Sequence, residues 1–424
     1  MGRKQVEKMV MPRWRWFLQQ IVRKIWFRAA AISLFSVLLA LAAAGLAPLI
    51  PYDFSVEMPA DAVDDILAIL ASSMLAVTTF SLTAMVAAFS GAAQMGSPRA
   101  TELLIEDAAA QNAISTFLGG FLFAIVGLIA LQSEIYGSQG RVILFLGTIG
   151  VIAWISITLL RWIGQLSQFG RVGDTIERVE GKAIAALAAY PGPIAYAGRV
   201  ETDAPEGAAR VLTSRWTGYV AHVDRKALCE LAEEVGGHVH LCVAAGHFVD
   251  PDLPLAWIDR TEDDPDDLLA FTADAFTIHR NRDFDQDPRF GMVVLSEIAS
   301  RALSPAVNDP GTAIAVLVAG QRVLDKMIDP ERPRAEKLDG LIDLPLSLEE
   351  MVEDLVLPIA RDGAGLVEVQ IQLQKLLGSL ARRCTGASPW LAAMGKDCLA
   401  IAHQSMRHEA DRARLERAHE GAFR

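Results

Sequence analysis

Long uncharged hydrophobic runs fill the first third of the chain and then give way to shorter periodic patterns. No charged residue occurs from Ala29 to Pro51, from Ile66 to Pro98, from Ala108 to Ser133 or from Val142 to Leu160. A bilayer core of roughly 30 Å calls for about 20 apolar residues in helical form, because bare backbone groups find no water there. The pattern therefore predicts four transmembrane helices. Residues 171–190 read as a more polar helix, with Ile176, Val179, Ala183 and Leu187 at helical spacing and Pro191-Gly192-Pro193 as its stop. A β pattern follows. Val211 to Val223 is rich in β-branched and aromatic residues, and Val239, Leu241 and Val243 alternate with His238, His240 and Cys242. Between them Asp224 is placed to cap a short helix through Ala227, Leu228, Leu231 and Val235, which Gly236-Gly237 ends. The helical period then returns and predicts helices over Leu268–Arg280, Gly291–Leu303, Thr312–Ile328, Leu346–Arg361, Leu366–Cys384 and Pro389–Glu420.

Charge divides the chain at the same place. The formal net charge is −12, yet residues 1–163 carry 11 basic against 10 acidic side chains, which leaves 28 against 41 in residues 164–424. An acidic second half lacks the concentrated Lys/Arg face that nucleic acid requires, so a nucleic-acid partner is not expected. The first 28 residues hold Arg3, Lys4, Lys8, Arg13, Arg15, Arg23, Lys24 and Arg28 against Glu7, with Trp14, Trp16, Phe17, Trp26 and Phe27 interleaved. Basic residues keep a chain end in the cytoplasm and aromatic rings favour the headgroup zone, so this end is expected along the inner membrane surface. A secretory signal is the competing reading, but the basic region and the apolar stretch are both long for that class. The first external loop would hold Asp53, Glu57, Asp61, Asp64 and Asp65 with no Lys or Arg. A multi-pass protein of the bacterial inner membrane with both termini cytoplasmic follows. Cys229, Cys242, Cys384 and Cys398 then lie in a reducing compartment without CxxC spacing, as expected for free buried thiols.

The expected organisation is a basic aromatic segment over 1–28, a four-helix transmembrane domain over 29–163, a helical connector over 164–205, a small β-rich domain over 206–260 and a helical cytoplasmic domain over 261–424. The fold class is mostly α. The β unit resembles the barrel-sandwich hybrid fold of biotinyl and lipoyl domains and of the C-terminal domain of pyrimidine nucleoside phosphorylases. Gly218-Tyr219-Val220 with Asp224 and Leu228, then Gly246-His247-Phe248-Val249 and Pro254-Leu255, carry that resemblance. Cofactor attachment would need a lysine on the hairpin between the halves. Lys226 instead falls in the first turn of the expected helix, so no cofactor is expected. The acid-rich run Asp250–Asp267 lacks the glycine turn of a calcium loop and reads as a solvated linker.

Two segments flank the helix Gly291–Leu303, one running from Arg280 to Gly291 and the other from Arg301 to Ala313. The run Arg301-Ala302-Leu303-Ser304-Pro305-Ala306, followed by Asn308-Asp309-Pro310 and Thr312-Ala313, accompanies Ser97-Pro98-Arg99 and Asp287-Pro288-Arg289-Phe290-Gly291. With four N-terminal membrane helices, this set resembles the predicted bacterial membrane proteins grouped as domain of unknown function 2254. The resemblance spans most of the chain and implies architecture, with no activity attached. Ser304-Pro305 and Asp309-Pro310 each set a capping residue before a proline whose fixed φ suits a first helical turn. Beyond this punctuation, Arg280, Arg282, Asp283, Asp287, Arg289 and Arg301 with Ser304, Asn308, Asp309 and Thr312 are candidates for one polar site. Such a site would be an ion-pair staple or a pocket for a small anionic ligand, and spacing does not separate the two.

Catalytic signatures are missing: the sequence holds no GxSxG, HExxH, Walker loop or Rossmann glycine run, and an enzyme is not expected. His238 and His240 share a strand face and invite zinc with His222 or His247, but ordinary barrel histidines are the expectation, and no metal is assigned. The second membrane helix carries a polar stripe, Ser72, Thr79, Thr83 and Ser90 within an arc of about 40°, continued by Gln94. This stripe suits close helix packing or a narrow hydrated path, and places the second helix at the bundle centre or at a subunit axis. Thr116, Gly120, Gly127 and Glu134 of the third helix form its expected partner face. Three functions compete. One is a homo-oligomeric, channel-like conduit in the lipid bilayer with a cytoplasmic regulatory domain, another a membrane-tethered sensor or scaffold, and the third an enzyme acting near the inner leaflet, which lacks a recognisable nucleophile or metal set.

Overall fold

The computed structural model describes residues 25–46, 60–95, 97–105, 107–133, 138–166, 171–198, 210–259, 275–332 and 338–424. These are mostly helical and form two compact units, one from the described residues of 17–94 and 101–171, the other from those of 95–100 and 172–424. The expected basic segment before residue 25, the loop acids Asp53 and Glu57, Glu134, and the acidic run from residue 260 to 267 lie outside the described residues.

The first unit contains α1 (Ile25–Leu46), α2 (Ala60–Met95), α4 (Ala108–Gln132) and α5 (Ser138–Leu166), with the short α3 (Pro98–Ile105) between α2 and α4. Among the described residues three helices are long and apolar enough to cross a membrane, over Ala62–Gly91, Ala109–Gln132 and Gly140–Leu166, while α1 has the shorter apolar stretch Phe27–Ala42. Small residues on α4 decide the packing. A β-carbon at Gly119 would come within 2.7 Å of Ser36 Oγ on α1, and one at Gly120 within 2.6 Å of Ile155 on α5 and 3.6 Å of Met74 on α2. Gly127 faces Leu67 of α2 and Leu144 of α5. Glycines bring α1 and α5 close to α4, and α2 reaches it through the Met74 and Leu67 side chains, so the third apolar helix, α4, fills the middle of the bundle. The expectation that the second helix is central fails within one chain, because the glycine rows lie on the third.

At one end of this bundle polar side chains tie the helices. Asp107 caps α4 by accepting from Ala109 N and Ala110 N, and Gln165 Nε2 donates to the same carboxylate at 3.1 and 3.2 Å. Arg28 Nη1 donates to Asn112 Oδ1 at 3.3 Å, and the buried Trp162 Nε1 donates to Ser81 Oγ at 3.1 Å.

The second unit begins with α6 (Val172–Ala189), which buries Ile176, Val179, Ala183 and Leu187, the residues that set its period. Strands β1 (Ile194–Ala195), β2 (Arg210–Thr213) and β3 (Gly218–Val223) precede α7 (Arg225–Val235). Asp224 caps α7 and Gly236 closes it in left-handed geometry at φ 65°. Then come β4 (Val239–Leu241), β5 (Phe248–Val249), β6 (Pro254–Ile258) and β7 (Phe276–His279). Four helices and two short strands complete the chain's middle: α8 (Pro288–Ala302), α9 (Pro310–Met327), β8 (Leu341–Ile342), β9 (Leu346–Ser347), α10 (Leu348–Asp362) and α11 (Val367–Arg383). Helices α12 (Ser388–Ser405) and α13 (Glu409–Ala422) end it. One sheet has the order β2-β6-β4-β8, a second β5-β3-β7, and β1 pairs with β9. Leu212, Val220, Leu228, Val239, Leu255 and Phe276 share the core beneath these sheets and α7.

Two expected helices differ. Of Leu268–Arg280, residues 268–274 lie outside the described residues, whereas Phe276–His279 is a strand antiparallel to β3. Its Phe-Thr-Ile sequence is β-branched and aromatic, and pairing with β3 outweighs the helical spacing. The single helix Pro389–Glu420 is two, because the chain breaks at Met406, whose carbonyl accepts from Arg412 Nε at 3.0 Å. The turn folds α13 back on α11, where Gly378 leaves room for the Ala422 backbone and Phe423 covers Gly395.

Candidate functional site

The proposed polar cluster is divided among several local sites of the second unit. Asp287, rather than any residue singled out as a cap, starts α8. Its carboxylate accepts from Phe290 N at 3.0 Å ahead of Pro288 at the first helical position. The same carboxylate, almost fully buried, takes two bonds from Arg282, Nε to Oδ2 at 2.7 Å and Nη2 to Oδ1 at 3.0 Å. Arg282 also lies over the Phe290 ring, 5.2 Å from its centroid. Gly246, at φ 92°, brings the β4–β5 turn against this carboxylate so closely that any β-carbon would strike it.

Two residues after Asp287, Arg289 reaches α10. It donates to Asp354 through Nε at 2.8 Å and Nη2 at 3.2 Å, and to Glu350 through Nη1 at 2.6 Å. Burial works against the charge. The Asp354 hydrogen bond and the Asp354, Glu350 and Asp287 carboxylates outweigh it and raise the arginine's pKa. Glu350 and Asp354 stand four residues apart on one helix face, which the sequence displayed but without indicating a partner. A small cavity of about 20 Å³ lies beside this pair, lined among others by Tyr190, His247, Asp287, Arg289 and Glu350. Burial and the Arg289 charge lower the pKa of His247, whose Nδ1 is 3.0 Å from Ala244 O. Burial raises that of Tyr190, whose hydroxyl donates to Leu344 O at 2.9 Å.

Five of the other candidates, Arg301, Ser304, Asn308, Asp309 and Thr312, sit at the far end of α8. A 15-residue helix is about 22 Å long, so Arg301 in its last turn is remote from Asp287 at its first. Asp309 caps α9, accepting from Thr312 N at 3.1 Å and Thr312 Oγ1 at 2.7 Å. The Thr312 hydroxyl, then its backbone N–H, holds the Asp309 carboxyl below the ordinary range. Asn308 takes left-handed geometry at φ 50° to turn the chain into this cap. Ser304-Pro305 opens a turn rather than a helix, with Ser304 O accepting from Val307 N and Asn308 N. Arg280 is exposed, and Asp283 accepts from Asp285 N at 3.0 Å within its own loop. Convergence of all ten residues on one site is therefore not what the geometry gives. Arg282 with Asp287, and Arg289 with Glu350 and Asp354, form an ion-paired staple, Asp309 with Thr312 forms a separate cap, and Arg280, Asp283, Arg301 and Ser304 stand outside both.

Among the described residues no cluster of three or more His, Cys, Asp or Glu could hold a metal ion. His238 Nδ1 pairs with Asp259 Oδ2 at 2.9 Å, and His240 stacks on Trp257 with ring centroids 3.7 Å apart. Lys226 lies in the first turn of α7, 3.9 Å from Glu230.

On α2 the stripe residues Ser72, Thr79, Thr83 and Ser90 are all exposed, on the side away from buried Val63, Leu67, Leu70, Met74, Ser81 and Met85. Three hydroxyls are satisfied within the helix, donating to Ala68 O, Leu75 O and Thr79 O at 3.0, 2.9 and 2.9 Å. Gln94 continues α2, and its side chain lies outside the described residues.

A family model described as "Predicted membrane protein (DUF2254)" matches residues 22–379, which takes in the described part of the first unit and most of the second. The chain belongs to the DUF2254 family. Uncharacterized proteins of Mycobacterium bovis and Mycobacterium tuberculosis are similar to this DUF2254 protein, each 28% identical over 280 residues, or 62% of the chain. The match covers 53% of each relative, so the chain spans about half the length of the curated relatives it matches. No solved structure matches.

Proposed function

We propose that this DUF2254 protein is a homo-oligomer of the bacterial inner membrane in which α1, α2, α4 and α5 all cross the bilayer and both termini are cytoplasmic. In this reading the outward face of α2 lines an axis between copies and forms a conduit, which the second unit regulates from the cytoplasm. The observation that carries it is the exposure of Ser72, Thr79, Thr83 and Ser90 on the side of α2 opposite its packed face. Lipid tails gain nothing from a row of small hydroxyl residues, whereas a second helix approaches them closely and water hydrates them. With α4 filling the middle of the single-chain bundle, a path between copies is the arrangement that uses this row. The fourth crossing is supported by the 22-residue length of α1, about 33 Å of helix. The basic N-terminal residues and the acidic loop after α1 support the orientation. The two small sheets around one core support reading the β unit as barrel-sandwich-like. No catalytic role is assigned.

A second reading, a tethered scaffold without transport, draws on the stripe hydroxyls that bond to their own backbone and need no water. Single cysteines at positions 72, 79, 83 and 90 in reconstituted vesicles separate the two. A conduit makes them react with a water-soluble maleimide from one side, and Thr79→Val changes the flux. Unreactive cysteines in an intact oligomer establish the scaffold.

A further inference from the structure

The C-terminal helix α13 is held by its seat and not by its connection. Of its 14 residues Leu415 and Ala422 are buried, and the seat on α11 and α12 is shaped around its end. Gly378 of α11 takes the Ala422 backbone, where any β-carbon would strike the carbonyl, and Gly395 of α12 takes the Phe423 ring. The buried Gln374 ties the three helices: its Nε2 donates to Gly395 O at 2.9 Å and its Oε1 stands 2.8 Å from His419 Nδ1. Arg382 Nη1 donates to Ala422 O at 2.5 Å. The connection is of the opposite kind. Met406 and His408 are extended, at ψ 128° and 126°, yet from Leu399 to Glu420 the chain holds neither glycine nor proline to break a helix. Among the described residues no side chain caps the start of α13. The Met406 carbonyl, which a continuous helix would pair with Ala410 N, takes Arg412 Nε at 3.0 Å and Nη2 at 2.5 Å instead. Local sequence therefore favours one helix through this point, and the seat of α13 imposes two.

We propose that α13 exchanges between two copies of this chain, with α12 and α13 running on as one helix and each α13 seated on the α11 and α12 of the other copy. Fit fixes the occupant. Gly378, Gln374 and Gly395 are complementary to Ala422, His419 and Phe423, and a second copy presents the same three. Exchange keeps every contact of the seat and removes the bend with its uncapped helix start. The contact is isologous, since each copy gives one helix and receives one. This surface is separate from the α2 axis and does not rest on it.

The test uses two differently tagged full-length chains, co-expressed with the native cysteines replaced by alanine, one carrying His403→Cys and the other Glu416→Cys. His403 Nε2 and Glu416 Oε1 meet across α12 and α13 at 3.4 Å. Along one continuous helix the same positions stand about 20 Å apart, so a link between the tags reads exchange. A short bis-maleimide added to broken native membranes should join the two tags, and should not when Arg414→Cys, on the opposite face of α13, replaces Glu416→Cys. Glu409→Pro suits the first position of a separate α13 after an extended residue, but removes an N–H and clashes inside a continuous helix. It should cut the two-tag product at least about tenfold. Arg412→Ala, which strips the bend of its hold on the Met406 carbonyl, should raise the product about twofold or more, and decides alone if Glu409→Pro does not fold. Linkage through Thr79→Cys reads the α2 axis separately, so the two readings fail independently. No two-tag product, equal linkage at Arg414→Cys, or a product that neither variant changes overturns the exchange.

Discussion

Arg282 grips Asp287 through two parallel hydrogen bonds of 2.7 and 3.0 Å while the same carboxylate caps α8. One buried acid thus serves as ion-pair partner and helix cap, and removing the arginine strands it. Arg282 is one-fifth exposed, so the loss should fall somewhat below the ~3–5 kcal/mol of a fully buried pair, at about 2–3 kcal/mol. Arg282→Ala is expected to lower the melting temperature by about 5–10 °C. An unchanged melt would remove the staple.

Gly246 carries the second test of that staple. Its φ of 92° and its approach to the Asp287 carboxylate leave no place for a β-carbon. Gly246→Ala should destabilise by at least about 1–3 kcal/mol. Because it displaces the same carboxylate, its effect with Arg282→Ala should be less than additive in a thermal or denaturant melt.

Asp309 should behave as an independent cap. Asp309→Ala is expected to cost about 1 kcal/mol and Asp309→Asn less, since an amide oxygen still accepts from Thr312 N. The two ends of α8 are about 22 Å apart, so a double-mutant cycle with Arg282→Ala should show coupling below about 0.5 kcal/mol. Strong coupling would restore a single polar site.

Acid should weaken the second unit through His247. Its folded pKa lies below the ordinary value of about 6.5, because burial disfavours the charged ring. The unfolded chain therefore takes up the proton first. Stability is full above about pH 6.5 and declines as pH falls from there towards the folded pKa. Melting temperature measured from pH 7.5 to 5.5 should fall in the wild type and fall less in His247→Gln. Equal slopes would clear His247 of that role.

Much of this architecture was legible because it rests on local chemistry. Period and caps located α6, α7 and α9, where Ile176 and Val179, Asp224 with Gly236, and Asp309-Pro310 each declare an element by themselves. The staple was not legible, since Arg289 meets Glu350 and Asp354, 61 and 65 positions further along the chain, only once the chain between them has folded. For the same reason the spacing that placed Arg280 to Thr312 together could not show that a straight helix holds its two ends apart. Strand β7 shows the opposite error, a local helical spacing overruled by a partner strand more than 50 residues earlier.

The orientation is open to the chain's own thiols. Burial raises the Cys229 thiol to about 11 and the Cys398 thiol to about 12, so both react slowly while folded. An impermeant maleimide should label none of the four cysteines in sealed spheroplasts and label them after permeabilisation and unfolding. Strong labelling of intact spheroplasts would reverse the topology.

The shared α2 axis is tested most directly by cross-linking between copies. With the native cysteines replaced, Thr79→Cys or Thr83→Cys in native membranes should form a disulfide-linked dimer on mild oxidation. That bond requires Cα atoms about 4.4–6.8 Å apart. Ile69→Cys and Phe80→Cys, also exposed but about 60–80° round one flank of α2, should not. Efficient linkage at 79 and 83 with none at 69 and 80 is the predicted result. No linkage at 72, 79, 83 or 90, from a chain that migrates as a monomer, would contradict the account.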